Sequence, residues 1–289
     1  MYGGSPYPPA LKRIIPKITT TRRLLLWRAY PIIAAMDAIV LDNRSLSPSL
    51  HWLTVAAPTL ARAQAGQFVM AHCTAPESAD PLLRCPFWIA AADNHSTASF
   101  LVDTGEPGGA WLAAQRPGTT LDLLGPLGQS IPHADGRRAT VLLAEGSGVG
   151  AVTLFASRAA VAGNAVMLLL SAPEADRLPP YVLPPDVEYL ATDGDVLSLL
   201  DSAATVGRLD SPLLWADSVV GVGSAATATK LAARIRRDRF NWKPGFAHYI
   251  LNQPFPCGVG LCGGCWHSTR RGDRLVCVAG PALDLRDAV

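Results

Sequence analysis

The stretch Cys257-Gly-Val-Gly-Leu-Cys262-Gly-Gly-Cys265, closed by Cys277, constrains this chain more than any other. Four of the six cysteines fall within 21 residues, at the spacing C-x4-C-x2-C-x11-C. The intervening Gly258, Gly260, Gly263 and Gly264 permit positive φ and a close approach of backbone to a ligand, so several sulfurs can converge on one centre. The first three cysteines match the run C-x4-C-x2-C of plant-type [2Fe–2S] proteins, in which a fourth thiolate arrives from further along the chain. Backbone N–H groups of such a loop can also point at the cluster and tune its potential.

Competing chemistries fit the spacing less well. A structural zinc site usually carries two C-x2-C-like pairs, and only Cys262 and Cys265 have that spacing here. A disulfide framework belongs to small secreted domains rather than to a chain of 289 residues. A Rieske-type centre needs two histidines on one iron, and only His267 is near. Cys73 and Cys85 have no partner at metal spacing and read as buried thiols.

The length suggests two domains plus an appendage. Half of the residues are apolar (49%) and 17% are charged, enough to bury a large core. The formal charge of +2 conceals an asymmetry. Lys12, Arg13, Lys17, Arg22, Arg23 and Arg28 precede the first acid, Asp37; removing these six from 25 leaves 19 basic against 23 acidic residues. The body is therefore mildly acidic, which gives no reason to expect nucleic-acid binding. The apolar run Leu24–Ala35 is short and interrupted by Arg28 and Pro31, so it does not reach the roughly 20 residues of a membrane span. Residues 1–35 read as a poorly ordered basic extension.

From Asp37 onward, short strands alternate with turn signals: Ala38–Leu41, His51–Val55, Gln67–Met70, Phe87–Ala90, Ser99–Val102 and Thr120–Leu124. Six such strands, with one short helix near Gly109–Ala114, predict an antiparallel barrel over 36–135. The period then changes. Thr140–Ala144 is a continuous apolar run, as in a strand buried on both faces. It enters Gly146-Ser-Gly148-Val-Gly150 and an Ala-rich helical stretch. Ala165–Leu170, Val187–Ala191 and Ser218–Gly221 follow, then a helix over about Ala225–Arg237. Strand–helix alternation predicts a parallel α/β domain over 136–246, and 247–289 is left as the cluster segment.

A barrel, then a parallel sheet, then an iron–sulfur loop resembles the electron-transfer subunit family of dihydroorotate dehydrogenase, within the ferredoxin–NADP reductase superfamily. The resemblance covers about residues 36–285 and is most specific over Cys257–Cys277 with Gly280-Pro281 behind it. Gly66-Gln-Phe-Val-Met70, Gly125-Pro-Leu-Gly128 and Ala191-Thr-Asp-Gly194 support it. It implies a ferredoxin-reductase-like fold: an FAD-binding barrel, a nucleotide-binding α/β domain that approaches NAD, and a C-terminal [2Fe–2S] cluster held by Cys257, Cys262, Cys265 and Cys277. It also implies a cytoplasmic subunit that acts in electron transfer rather than as a complete enzyme. Its cluster would pass single electrons between the FAD and the FMN of a separate dihydroorotate-oxidising subunit, in a heterotetramer.

The contact residues depart from the family pattern in several places. The family's Arg-Pro-hydrophobic-Ser/Thr run on a barrel strand reads Cys85-Pro86-Phe87-Trp88, with Arg84 one position early. Neighbouring residues on a strand face opposite ways, so Arg84 replaces the family arginine only if the strand slips or bulges. Trp88 stands where a hydroxyl would contact the flavin, able to stack on it or to fill its place. The Gly-Thr at the pyrophosphate helix reads Gly109-Ala110, which keeps the amide donors and loses a hydroxyl. In the α/β domain, Gly146, Gly148 and Gly150 remain at the family's glycine turn, its following proline is Thr153, and its Cys-Gly-Pro is Val222-Gly223-Ser224. The expected FAD contacts are thus Arg84, Pro86, Phe87, Trp88, Gly109 and Ala110, and the expected nucleotide contacts Gly146, Gly148 and Gly150. Two alternatives stand beside this reading: a cluster-only wiring subunit without FAD or NAD, which the departures motivate, and an electron-transfer subunit that keeps all cofactors but serves a hydrogenase or a ferredoxin-linked NAD(P) reductase.

Overall fold

The computed structural model describes residues 35–75, 78, 80–132, 138–207, 211–239 and 241–289, and the expected basic extension lies outside them except for Ala35. Residues Ala35–Val289 form one compact unit. Its first half is a closed barrel built from β1 (Ala35–Ser45), β2 (Leu50–Ala56), β3 (Phe68–Ala71), β4 (Cys85–Ala92), β5 (Thr97–Asp103) and β6 (Thr120–Leu127). The strand order is β1-β2-β5-β4-β3-β6, and every pairing is antiparallel. Closure leaves no free sheet edge. Val40, Val55, Ile89, Phe100, Val102 and Leu121 fill the interior. A short helix, α1 (Gly109–Ala113), crosses after β5.

The second half is a six-stranded sheet flanked by helices. Its parallel strands are β7 (Ala139–Glu145), β8 (Ala165–Ser171), β9 (Val187–Thr192), β10 (Ser218–Gly223) and β11 (Ala247–Leu251). The helices are α2 (Gly150–Val161), α3 (Ser198–Gly207), α4 (Pro212–Trp215) and α5 (Ala225–Asp238). Beyond the cysteine loop lie a hairpin of β12 (Trp266–Thr269) and β13 (Gly272–Leu275), α6 (Val276–Ala279), β14 (Ala282–Asp284) and α7 (Leu285–Ala288). The order β14-β11-β10-β7-β8-β9 carries the sheet past residue 246: β11 extends it beyond β10, the antiparallel β14 forms its edge, and the cysteine loop is an excursion between these two strands.

The apolar run in β7 divides between two cores, because successive side chains leave opposite faces of a sheet. Leu142 and Ala144 join the core shared with α2 and the barrel. Val141 and Leu143 join the core under α5, with Leu231 and Ile235. Helix α2 therefore lies between sheet and barrel, and Gly150 through Ala156 are all buried. That placement accounts for a helix without a polar face.

On the other face, β10 and β11 approach so closely that Gly221 lies directly against the ring of Tyr249, its register partner. A Cβ at 221 would collide with that ring, which is itself buried. Gly221→Ala is therefore expected to destabilise the protein by about 1–3 kcal/mol, the usual cost of overpacking a filled core. Equilibrium denaturation under reducing conditions measures this, and an unchanged midpoint would contradict the packing described.

Candidate functional site

The cysteine loop is held against the barrel. Gly258, at φ +67, rests on Met70, whose Cγ would lie 2.6 Å from an added Cβ. Phe255, just before the loop, stacks on Phe68 of β3 at 4.9 Å between ring centroids and meets Trp88 of β4 edge-on at 6.0 Å. Phe68, Met70, Leu127, Phe255, Cys265, Val276 and Cys277 form one buried core. Two of the four loop cysteines are thus part of the barrel's packing.

The four thiols stand as two pairs. Cys265 and Cys277 are buried, with their sulfurs 3.1 Å apart. Cys257 and the exposed Cys262 form the other pair, joined by the Cys262 amide, which donates to Cys257 Sγ at 3.5 Å. Among the described residues, no three His, Cys, Asp or Glu side chains are gathered for a single metal ion. Two thiol pairs instead match the donor set of a centre with two irons.

Backbone amides converge on these sulfurs. Gly264 N donates to Cys262 Sγ at 3.3 Å, and Cys277 N to Cys265 Sγ at 3.5 Å. Partial burial pushes the Cys257 thiol up, but donation from the amides of Cys262, Val259 and Leu261 outweighs it and brings the group down to about 7. Burial, and then the neighbouring Cys265, push Cys277 the other way. Two close thiols in an apolar core resist ionising together, and iron held by them would supply the compensating positive charge. The residues present therefore fit an iron–sulfur cluster. His267 stands aside, its Nε2 donating to the Ala288 carbonyl at 3.0 Å.

Next to this loop, a cleft of about 570 Å³ opens between barrel and α/β domain. Trp88, Phe87, Leu101 and Phe255 line its apolar part, and Arg84, Ser147 and Asn252 lie among its polar positions. Trp88 stands in the wall and leaves this space beside it. Pro254, Phe255 and Pro256 also line the cleft, so it shares a wall with the segment leading into Cys257.

The other expected contacts are distributed unevenly. Pro86 lines the cleft and is exposed. Across Cys85–Trp88, β4 pairs with β3 without a register shift, and its irregularity comes later, between Ile89 and Ala91. Arg84 consequently does not move into the position of Cys85. Its guanidinium reaches the rim of the cleft but is held by Asp122 of β6, through the carboxylate and the carbonyl oxygen at 3.0 Å. Cys85 turns inward to meet Cys73 beneath Gly108. Burial, and then Cys85, push the Cys73 thiol up, and burial pushes Cys85 up. Both behave as inert packing thiols. Gly109 and Ala110 start α1, where an added Cβ at Gly109 would collide with the Asp103 carbonyl. Close packing is sufficient reason for that glycine.

Gly146 and Gly148 form the turn after β7, and Gly150 begins α2. Gly148 reaches the cleft, whereas Gly150 faces Leu101 of the barrel. Sequence reasoning missed Glu145, the last residue of β7. Its carboxylate crosses to the start of α5, accepting from Ser224 N at 2.7 Å and from Thr227 Oγ1. The only sequence signal was an acid ending an apolar strand just before a glycine turn.

Comparison with known proteins agrees with this geometry. Residues 252–288 match the model of the iron–sulfur cluster binding domain of dihydroorotate dehydrogenase B. The dihydroorotate dehydrogenase B (NAD(+)) electron transfer subunit of Shouchella clausii is 30% identical over 238 residues, covering 78% of this chain and 86% of that protein. A homologue of that subunit from Aquifex aeolicus is 26% identical over 263 residues, covering 89% and 100%. Among solved structures, the NADH-dependent reduced ferredoxin-NADP oxidoreductase has a TM-score of 0.70 at 20% identity, covering 87% of this chain and 89% of its own. The ferredoxin reductase of carbazole 1,9a-dioxygenase has a TM-score of 0.62 at 19% identity, covering 77% and 68%. Both structures share the fold of barrel and parallel sheet, no described helix is long and apolar enough to cross a membrane, and the chain belongs to the family of dihydroorotate dehydrogenase B electron transfer subunits.

Proposed function

We propose that Cys257, Cys262, Cys265 and Cys277 hold a [2Fe–2S] cluster, and that the cleft beside them takes the flavin ring of an FAD. The observation that carries this reading is the shared wall: Phe255 packs into the core of Cys265 and Cys277 and also lines the cleft. A flavin there can exchange a pair of electrons on one side and single electrons with a cluster on the other. The chain's own residues position and insulate. Trp88, Phe87 and Phe255 give the ring an apolar seat, and Arg84 is the cation nearest the cleft for its phosphates. The loop amides stabilise the sulfurs. The barrel over 36–135 then serves the flavin, the α/β domain over 136–246 is its scaffold, and 247–289 carries the cluster.

The partner in this reading is a catalytic, FMN-containing, dihydroorotate-oxidising subunit, assembled with this chain as a heterotetramer in the cytoplasm. The names of the relatives, electron transfer subunits of dihydroorotate dehydrogenase B, support a separate catalytic subunit, and so does the surface around the cluster. Cys262 is exposed, Leu261 beside it is 87% exposed and Trp266 57%. Exposed apolar side chains beside a redox centre suit a docking face through which electrons leave. A cluster-only wiring subunit is the second reading, favoured by the engagement of Arg84 with Asp122.

Three outcomes are expected. Anaerobically purified protein should contain about two iron and two sulfide per chain, as the cluster type requires, with one FAD; zinc without sulfide would remove the cluster, and cluster without flavin would select the second reading. Cys262→Ser should abolish the cluster while leaving flavin bound, because Cys262 is exposed and lies outside the buried core; loss of both together would contradict that separation. Leu261→Asp should weaken copurification with the catalytic subunit by about tenfold or more, since a charge on a docking face costs at least 1.4 kcal/mol. Its iron content should be unchanged, and undiminished assembly would move the docking face elsewhere.

A further inference from the structure

In an open parallel sheet, nucleotides bind outside the carboxyl ends of the strands at the point where strand order reverses. Here that point lies between β7 and β10. The chain runs from β7 outward to β8 and β9, then returns to place β10 on the other side of β7. A phosphate would be drawn to the start of α5, a helix of 14 residues whose first amides and dipole favour an anion.

That place is already filled from within the chain. The Glu145 carboxylate accepts from Ser224 N at 2.7 Å and from the Thr227 hydroxyl. Thr227 N is spent on Ser224 Oγ at 3.2 Å, which caps the helix. The carboxylate also lies over Gly223, the backbone position where a ring could otherwise approach the strand end. Beneath it, Tyr249 OH donates to the Ser224 carbonyl at 3.2 Å and closes the floor. Burial, and then the charge of Glu145, oppose ionisation of that tyrosine. No cation accompanies Glu145 among the partners described, so its charge faces the crevice.

We infer that Glu145 closes the nucleotide crevice, and that this chain does not take up a pyridine dinucleotide there. A dinucleotide would have to displace a carboxylate from its donors and bring two phosphate charges to the same spot. The glycine turn Gly146–Val149 is retained as a packing element, with Gly148 against Val222. The inference rests on the reading of the chain as an electron-transfer subunit, and it leaves the flavin's two-electron exchange to a carrier other than a pyridine dinucleotide held in this crevice.

The test uses the full chain with its cofactors, purified anaerobically. Calorimetric titration with ADP-ribose and NAD(+) reads binding without depending on the flavin, and mixing with NADH or NADPH reads bleaching of the visible spectrum. The wild type should show no saturable binding up to millimolar ligand and no bleaching by either reductant, while dithionite still bleaches it. Glu145→Gly should gain binding by at least about tenfold. Glu145→Gln, which keeps the shape and removes the charge, should gain less, and it serves as the readable variant if the glycine variant fails to fold. Wild-type binding of ADP-ribose or reduction by NADH would overturn the inference, and so would variants that stay as refractory as the wild type. A protein without flavin would undermine the proposed function and leave the calorimetric result able to decide this one.

Discussion

Phe255 is the contact on which the arrangement depends. It packs against both Phe68 and Trp88 of the barrel, which also meet each other edge-on, and it joins the core of the buried cysteines while lining the cleft. Without such a contact, a glycine-rich loop of cysteines would be a tethered appendage whose distance from any flavin varied with each fluctuation. With it, the loop is anchored in a core that also contains barrel residues, and its separation from the cleft is fixed by close packing. Electron transfer needs that constancy more than it needs chemically active side chains.

The cleft follows from how the two halves are joined. Helix α2 is buried between sheet and barrel, so the strand ends of β7 and β10 face the outer surface of β4 and β5. The gap there is closed at one end by the segment before Cys257. One wall therefore belongs to each part of the chain, and the edge strand β14 brings it back to β11 and the sheet after the loop's excursion. The C-terminal segment is thus both a sheet edge and a cluster carrier, a dual role that accounts for its position beside the cleft.

Much of this was legible in the sequence, because it is carried by local patterns. Short strands punctuated by Gly and Pro turns pointed to the barrel, and the continuous run at Thr140–Ala144 to a strand buried on both faces. The spacing C-x4-C-x2-C gave the loop. What was not legible depends on long-range partners. Arg84 could be placed one position from the family arginine, but its capture by Asp122 arises from strands 38 residues apart in sequence. The three residues of β14 are too few for a periodic signal. Glu145 reads as an ordinary charged residue at a strand end until β10 lies beside β7 and its carboxylate meets the amide of Ser224. The pairing of Cys265 with Cys277 follows from α6 folding back under the loop, which the x11 spacing permits without requiring.

In the proposed arrangement cluster and flavin are adjacent and wired in series, with the cluster on the partner's side. Rapid mixing of the anaerobic complex with the partner's substrate tests this directly, if the paramagnetic signal of the reduced cluster and the flavin absorbance are followed in the same samples. With the cluster on the partner's side, the cluster signal should rise before the flavin bleaches. Flavin bleaching while the cluster stays oxidised would contradict it.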